Sequence, residues 1–397
     1  MLKNTDFVPD GCAVQEYTDV YGDKCTAFSG VTLPALSVVA VKAGTGKKEE
    51  SPFKVDGNYI STPFADIVME HGRFVSYKTK RGLEIVSDAH IPLNTLYFGE
   101  DIPEVWDNWN IDYDQAQKMS PVAECTSCEV VSVGSLQLRI RAKYKFGDSE
   151  LTQDIVFYSD TPRIEFQSSV DWNSPHSLLK VGFKVNVLSD VARFETQFGN
   201  VKRPTHENYG TDKVQFEVCN HEWTDLSDTR FGVAVLNDCK YGISVNGNDM
   251  RLTLHKGGCR PDPGGDKGVH RFTYSLLVHE TGFGTKAVIK PAYELNFPAL
   301  TFAGSADCKY AGSLLSVDTD NVIVESVKPA EDKNGFIARV YETEGSHTIC
   351  KLSFNPSLKS VFKTDMLEYG DAPVITGDGS VELKFRPFEI KTLRFTE

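Results

Sequence analysis

Three segments of the 397-residue chain combine residue types that can do chemistry. Glu104-Val-Trp-Asp-Asn-Trp-Asn-Ile-Asp112 carries two indoles, Trp106 and Trp109, with the carboxylates Asp107 and Asp112 beside them. Indole faces stack on the C–H surfaces of sugars, and carboxylates accept hydrogen bonds from sugar hydroxyls. The same residues would equally make a loop plug with the indoles buried. Gly199–His206 joins the donors Lys202 and Arg203 to Pro204, which fixes the bend, and ends on His206. It could also be a plain surface loop. Lys256–Val269 is longer than a hairpin needs, is dense in Gly and Pro, displays Asp262 and Asp266, and leads into His270. Glycines let backbone approach a ligand or a second domain closely. A floppy loop is the alternative, and Pro261 and Pro263 argue for a shaped one.

Other signatures are weak. Cys125-Thr-Ser-Cys128 is a lone CxxC, whereas a structural zinc site needs four ligands, so it reads as two incidental loop thiols. His206-Glu207 and His221-Glu222 do not extend to HExxH, and no GxSxG, Walker loop or dinucleotide fingerprint occurs. His71, His90 and His347 read as surface or packing residues.

The elements that position these loops are written in alternation. From Leu136 the apolar residues Leu138, Ile140, Ala142, Tyr144 and Phe146 alternate with Gln137, Arg139, Arg141, Lys143 and Lys145, the period of a half-buried strand. Gly147-Asp148 supplies a turn, and Leu151–Tyr158 reads as the return strand. Arg163–Trp172 and the run through Val181, Phe183, Val185 and Val187 repeat the device, as do Phe194, Thr196 and Phe198. Further strands are expected at Phe231–Leu236, Tyr241–Val245, Met250–Leu254, Phe272–Val278, Val322–Val327, Phe336–Tyr341, Ile349–Phe354 and Val381–Phe385. Such a chain is all-β with packed antiparallel sheets, and it lacks the βαβ rhythm of a Rossmann domain or TIM barrel. Lys42–Pro52 is polar and bracketed by apolar runs, so it reads as a linker, and a second boundary is expected around Thr281–Pro291.

Composition sets the partners. Fifty-five acidic against 42 basic residues leave a net charge of -13, which repels nucleic acid and anionic membrane surfaces. The most apolar run, Val31–Val41, holds Pro34 and is half the ~20 residues a membrane helix needs. The N-terminus lacks the apolar core of a secretory signal. Nine cysteines at irregular spacing fit reduced thiols better than a disulfide framework. The expectation is a soluble, cytoplasmic protein.

The loops and strands together resemble the C-terminal β-rich part of the glycoside hydrolase family 38 α-mannosidases. Val170-Asp-Trp-Asn-Ser-Pro-His176-Ser-Leu-Leu-Lys-Val, Phe198-Gly-Asn-Val-Lys-Arg-Pro-Thr-His206, Phe216-Glu-Val-Cys219 and Leu236-Asn-Asp-Cys-Lys-Tyr-Gly242 are similar to segments of that family. So are Asp262-Pro with Asp266, Gly268, His270, Phe272 and Tyr274, the Trp106-Asp-Asn-Trp109 loop, Gly335–Glu342 and Pro387–Leu393. Three residues depart from the pattern: Gly265 stands for Ala, Asn110 for Asp and Val278 for Pro.

The resemblance implies a galactose-mutarotase-like supersandwich plus a smaller β-sandwich, divided as a partial small β-domain over 1–44, the supersandwich over 45–285 and the C-terminal sandwich over 286–397. The Leu33-Pro-Ala-Leu36 run would be a strand of the partial domain. It also implies a retaining enzyme whose zinc, nucleophile and general acid lie in a barrel that these residues do not encode. No His here is followed two positions later by Asp, as the family's zinc motif requires. No catalytic or metal residue is therefore carried over, the chain is expected to be inactive alone, and the expected partner is a separate catalytic half acting on α-mannosides. Trp106, Asp107, Trp109, Arg203, His206, Asp262, Asp266 and His270 are the expected substrate-binding or barrel-facing residues. Two other readings remain: a stand-alone carbohydrate-binding sandwich using Trp106 and Trp109, and a mutarotase-type enzyme pairing Glu222 with His176, His206 or His270.

Overall fold

The computed structural model describes residues 2–3, 7–122, 124–302, 304 and 312–396; Met1 and Cys308 lie outside them. The alternation is realised as antiparallel sheet. Gln137–Phe146 pairs with Ser149–Tyr158 through the Gly147-Asp148 turn, and Ser149–Tyr158 pairs with Ile164–Trp172. These lie in a nine-stranded sheet that continues through Gly268–His279, Gly232–Asn237, Trp223–Ser227, Val191–Thr196 and Gly199–Pro204, with Glu124–Val133 on the opposite edge. A six-stranded sheet faces it, with Asp249–Lys256, Ser177–Lys184 and Thr95–Glu100 at its centre.

The space between the two sheets is filled by the inward residues of both. Phe166, Phe183 and Tyr274 stack or cross within 4.8–6.2 Å, inside a continuous core running from Phe53 to Val278. A four-stranded sheet over Lys54–Thr79 adds Ile60, Ile67, Phe74 and Tyr77 to that core. Burial of aromatic and branched side chains on this scale is the main stabilising term. This is the supersandwich.

The smaller sandwich packs Leu315–Val317, Thr348–Phe354 and Ser380–Phe385 against a five-stranded sheet centred on Phe336–Glu342 and Ile390–Thr396, with a separate core that includes Val340, Leu352, Leu383 and Phe395. Between the sandwiches, the helical segment Thr285–Asn296 lays Val288, Ile289 and Ala292 against Trp223, Leu236 and Leu277. Phe198 meets Tyr341 edge-on at 5.4 Å, and Asn200 donates to the Thr343 carbonyl at 3.1 Å.

Three expectations are corrected. Gln137 and Arg139 belong to the polar half of the alternation, yet both are buried. The N-terminal hairpin Ala13–Thr18/Lys24–Ser29 covers them: Gln15 exchanges hydrogen bonds with the Gln137 backbone at 2.9 Å each way, and Tyr17 lies 4.3 Å under the Arg139 guanidinium. The Leu33–Leu36 run is not a strand. Ser37 Oγ closes a turn on the Pro34 carbonyl, Leu36 has φ +48°, and Leu33, Leu36 and Val38 are exposed. Cys125 and Cys128 lie not in a loop but on the edge strand Glu124–Val133, at a bulge, beside a cavity of about 450 Å³ that His71 and Glu70 also line.

Candidate functional site

The indole turn is tight. The N–H groups of Trp109 and Asn110 donate to the Trp106 carbonyl at 2.8 and 3.0 Å, and Asn110 Nδ2 donates to the Val105 carbonyl at 2.8 Å. This throws both rings outward. Trp106 is 53% and Trp109 69% exposed, with centroids 5.9 Å apart and planes tilted by 41°. The buried-plug alternative is therefore excluded. Asn110 replaces the family's acid with an amide that closes the turn.

Asp107 points the other way and is only 5% exposed. Its Oδ1 accepts the Arg260 N–H at 2.6 Å, its Oδ2 accepts the Cys259 N–H at 3.0 Å, and Oδ2 lies 2.9 Å from His176 Nδ1. Burial alone would raise the carboxyl pKa. The Cys259 and Arg260 amides, with His176, outweigh that and hold it below the usual carboxylate value. Asn108 completes the clamp: its N–H donates to the Arg260 carbonyl at 3.0 Å and its Oδ1 accepts the Asp262 N–H at 3.1 Å.

The long loop therefore has a defined shape. A Cβ on Gly258 would lie 2.6–2.7 Å from the Asp107 carbonyl oxygen and Asn108 backbone, so glycine is required for this approach. Gly265 has φ +50°, and a Cβ there would collide with the Gly258 carbonyl, which explains the departure from Ala. His255 and His270 both donate Nε2–H to the Asp266 carbonyl, at 3.1 and 2.6 Å, and their rings sit 4.4 Å apart. Burial, then the charges of Lys240 and His270, push His255 down to about 3 and keep it neutral. Lys256 at the loop's root bonds Asp101 and is pushed down to about 8 by burial.

Of the expected site residues, Trp106, Asp107, Trp109, Asp262, Asp266 and His270 belong to this one assembly. His206 is at its margin. Tyr113, just beyond the indole turn, donates to Glu207 Oε2 at 3.1 Å and meets Phe216 edge-on at 5.6 Å, while His206 Nδ1 lies 3.5 Å from Asp212. Arg203 turns away and stacks on Phe194 at 4.8 Å. His176, His206 and His270 pair with Asp107, Asp212 and the Asp266 carbonyl, while Glu222 sits beside Glu195. Among the contacts of the described residues, none joins those histidines to Glu222, which leaves the mutarotase reading without its His–Glu pair.

Sequence reasoning missed one grouping. Asp107, His176 and Cys259 each bring a ligand-type atom within 4.8 Å of the others. They are 69 and 152 residues from Asp107 in the chain, so no local spacing could announce them. This is not a His-x-Asp pattern, which none of the nine histidines begins.

The comparisons agree with the geometry. Residues 60–264 match the model described as "Glycosyl hydrolases family 38 C-terminal domain", and residues 321–393 match "Glycosyl hydrolases family 38 C-terminal beta sandwich domain". Alpha-mannosidase 2C1 of Homo sapiens is 35% identical over 320 residues, covering 79% of this chain and 31% of that protein. Alpha-mannosidase G of Dictyostelium discoideum is 32% identical over 356 residues, 86% of this chain and 32% of that one. The chain thus spans about a third of the length of the curated relatives it matches. The crystal structure of an alpha-mannosidase from Enterococcus faecalis superposes over 98% of this chain and 49% of its own, with a TM-score of 0.73 at 16% identity, a likeness of fold. No helix among the described residues is long and apolar enough to cross a membrane. By sequence and by fold, the chain belongs to glycosyl hydrolase family 38, as its C-terminal β-rich region.

Proposed function

We propose that this chain is the accessory part of an α-mannosidase, acting on terminal α-mannosides together with a zinc-dependent catalytic barrel that its own residues do not encode. In this reading the division into 1–44, 45–285 and 286–397 holds, and the protein works in the cytoplasm. Trp106, Trp109, Asp262, Asp266 and His270 face the barrel and wall the sugar site, with His206 and Arg203 further out.

One observation carries the reading. Two indoles stand exposed on a turn whose underside is locked by a buried carboxylate. A clamp fixes Asp107, Asn108 and the 258–262 backbone, yet leaves the apolar rings without cover. Exposed aromatic surface on a rigid support is what an interface or a sugar platform needs. The test is to mix the chain with the catalytic segment of a relative and assay an aryl α-mannoside. Hydrolysis should appear only in the mixture. No activity, with no complex on gel filtration, rejects the reading.

The same ring pair supports a second reading, a stand-alone carbohydrate-binding sandwich. There, glycan-array binding by the chain alone would be lost in Trp109→Ala, and a silent array would reject it.

A further inference from the structure

The geometry points to a binding site for one zinc-class divalent cation formed by Asp107, His176 and Cys259, with a fourth position open to solvent. One ligand atom from each residue lies within 4.8 Å of the other two. Around a tetrahedral ion at about 2.0–2.3 Å, ligand atoms sit roughly 3.3–3.7 Å apart. Side-chain rotation of about 1 Å therefore closes the set.

The three donors are held independently. Asp107 is fixed by two backbone amides of the long loop. His176 has φ +49°, donates its N–H to the Gly257 carbonyl at 2.6 Å, and accepts the Asp101 N–H on its own carbonyl at 2.7 Å. Cys259 is tied through its N–H to Asp107, while its sulfur makes only a weak contact, 3.8 Å to the Gly257 carbonyl. Three chain segments thus deliver three ligands without needing a metal to fold them there. The Cys259 and Arg260 amides act as the outer shell that orients the carboxylate.

The donor chemistry selects the ion. One carboxylate oxygen, one imidazole nitrogen and one thiolate suit a borderline cation such as Zn²⁺, whereas Mg²⁺ and Ca²⁺ want oxygen alone. Two anionic ligands balance a 2+ charge. Binding releases the Cys259 thiol proton to solvent, while the ring proton of His176 passes from Nδ1 to Nε2, so that the imidazole ligates through Nδ1 as a neutral group. His176 has a 44% exposed side chain, which gives an entry path and room for a water as fourth ligand. The ion would pin the root of the glycine-rich loop to the indole turn. This inference does not depend on the proposed mannosidase role.

The test is to strip the purified chain with a chelator and titrate it with Co²⁺, then Zn²⁺. One equivalent of Co²⁺ should bind with a thiolate-to-metal charge-transfer band, and Zn²⁺ should displace it. Cys259→Ser should abolish the band and weaken Zn²⁺ about tenfold or more. His176→Asn, which tolerates the left-handed backbone, should weaken it similarly. Cys239→Ser, at an exposed thiol elsewhere, should change neither. Circular dichroism establishes that each variant is folded. Absence of saturable uptake, or a band that survives Cys259→Ser, would mean that Asp107 and His176 form only a hydrogen-bonded clamp and would overturn the site.

Discussion

The Glu195 carboxylate accepts the backbone N–H of Glu222 at 2.9 Å, which brings two acidic side chains together where the large sandwich meets the C-terminal one. Glu325 completes the group, bonded by the Tyr293 hydroxyl, which in turn lies 3.1 Å from that of Tyr341. Burial, opposed by the Glu222 amide and helped by the charges of Glu222 and Glu325, pushes Glu195 up to about 8. Burial, then the charge of Glu325, pushes Glu222 up to about 7.

These shifts make stability depend on pH. A carboxyl whose folded pKa exceeds its ordinary 4.5 holds a proton that the unfolded chain would release. The contribution of this pair to stability is therefore full below about 4.5 and declines as pH rises toward about 8, as the native carboxyls are forced to ionise. Thermal scans should give a higher midpoint at pH 6 than at pH 8.5. Glu195→Gln should flatten the difference, and an unchanged slope in that variant would refute the assignment.

Asp107 predicts the opposite sign. Its lowered pKa means that its contribution persists above the ordinary carboxylate value and is lost as pH falls through it. Asp107→Ala would strand the Cys259 and Arg260 amides and cost about 2–3 kcal/mol. The loss should be local: hydrogen exchange across 257–267 should quicken well before that of the core strands. Uniform acceleration over the whole chain would contradict a loop clamp.

Asp154 is the third case. It is fully buried and bonds both Arg139 and Arg141, with contacts of 3.3 and 2.6 Å. Removing one member of a buried ionic group leaves the others uncompensated, so Asp154→Ala should cost about 3–5 kcal/mol in denaturant unfolding. A loss below about 1 kcal/mol would mean that water or the Gln137 and Gln167 amides replace it.

Period-2 alternation made most strands of the large sheet legible, because a half-buried strand must place every second residue inward. It could not separate solvent from a second protein layer. Arg139 therefore looks like a surface residue in the sequence, although Tyr17 and Asp154 bury it. Glu195 reads the same way, yet it is half-buried and feels the charge of Glu325 from the C-terminal sandwich. The indole turn and the glycine-rich loop were recognisable as unusual segments. Their joining through Asp107 was not, since hydrogen bonds across 152 and 153 residues leave no periodic trace.

Trp109 separates folding from function. Its ring is mostly solvated and, among the described residues, has its ring contact with Trp106, so Trp109→Ala removes little burial and should shift stability by no more than about 0.5 kcal/mol. If the turn docks on a catalytic barrel, the same truncation empties an aromatic anchor at the interface, where such residues cost about 2 kcal/mol or more. Restoration of aryl α-mannoside hydrolysis in the mixture should then need at least roughly tenfold more chain. Trp106→Ala should behave alike, because its ring shares the exposed face. Val214→Ala, at a residue equally exposed but on the Gly210–Lys213 helix's C-terminal cap, serves as the control and should leave the concentration dependence unchanged. Equal behaviour of all three variants would place the interface elsewhere.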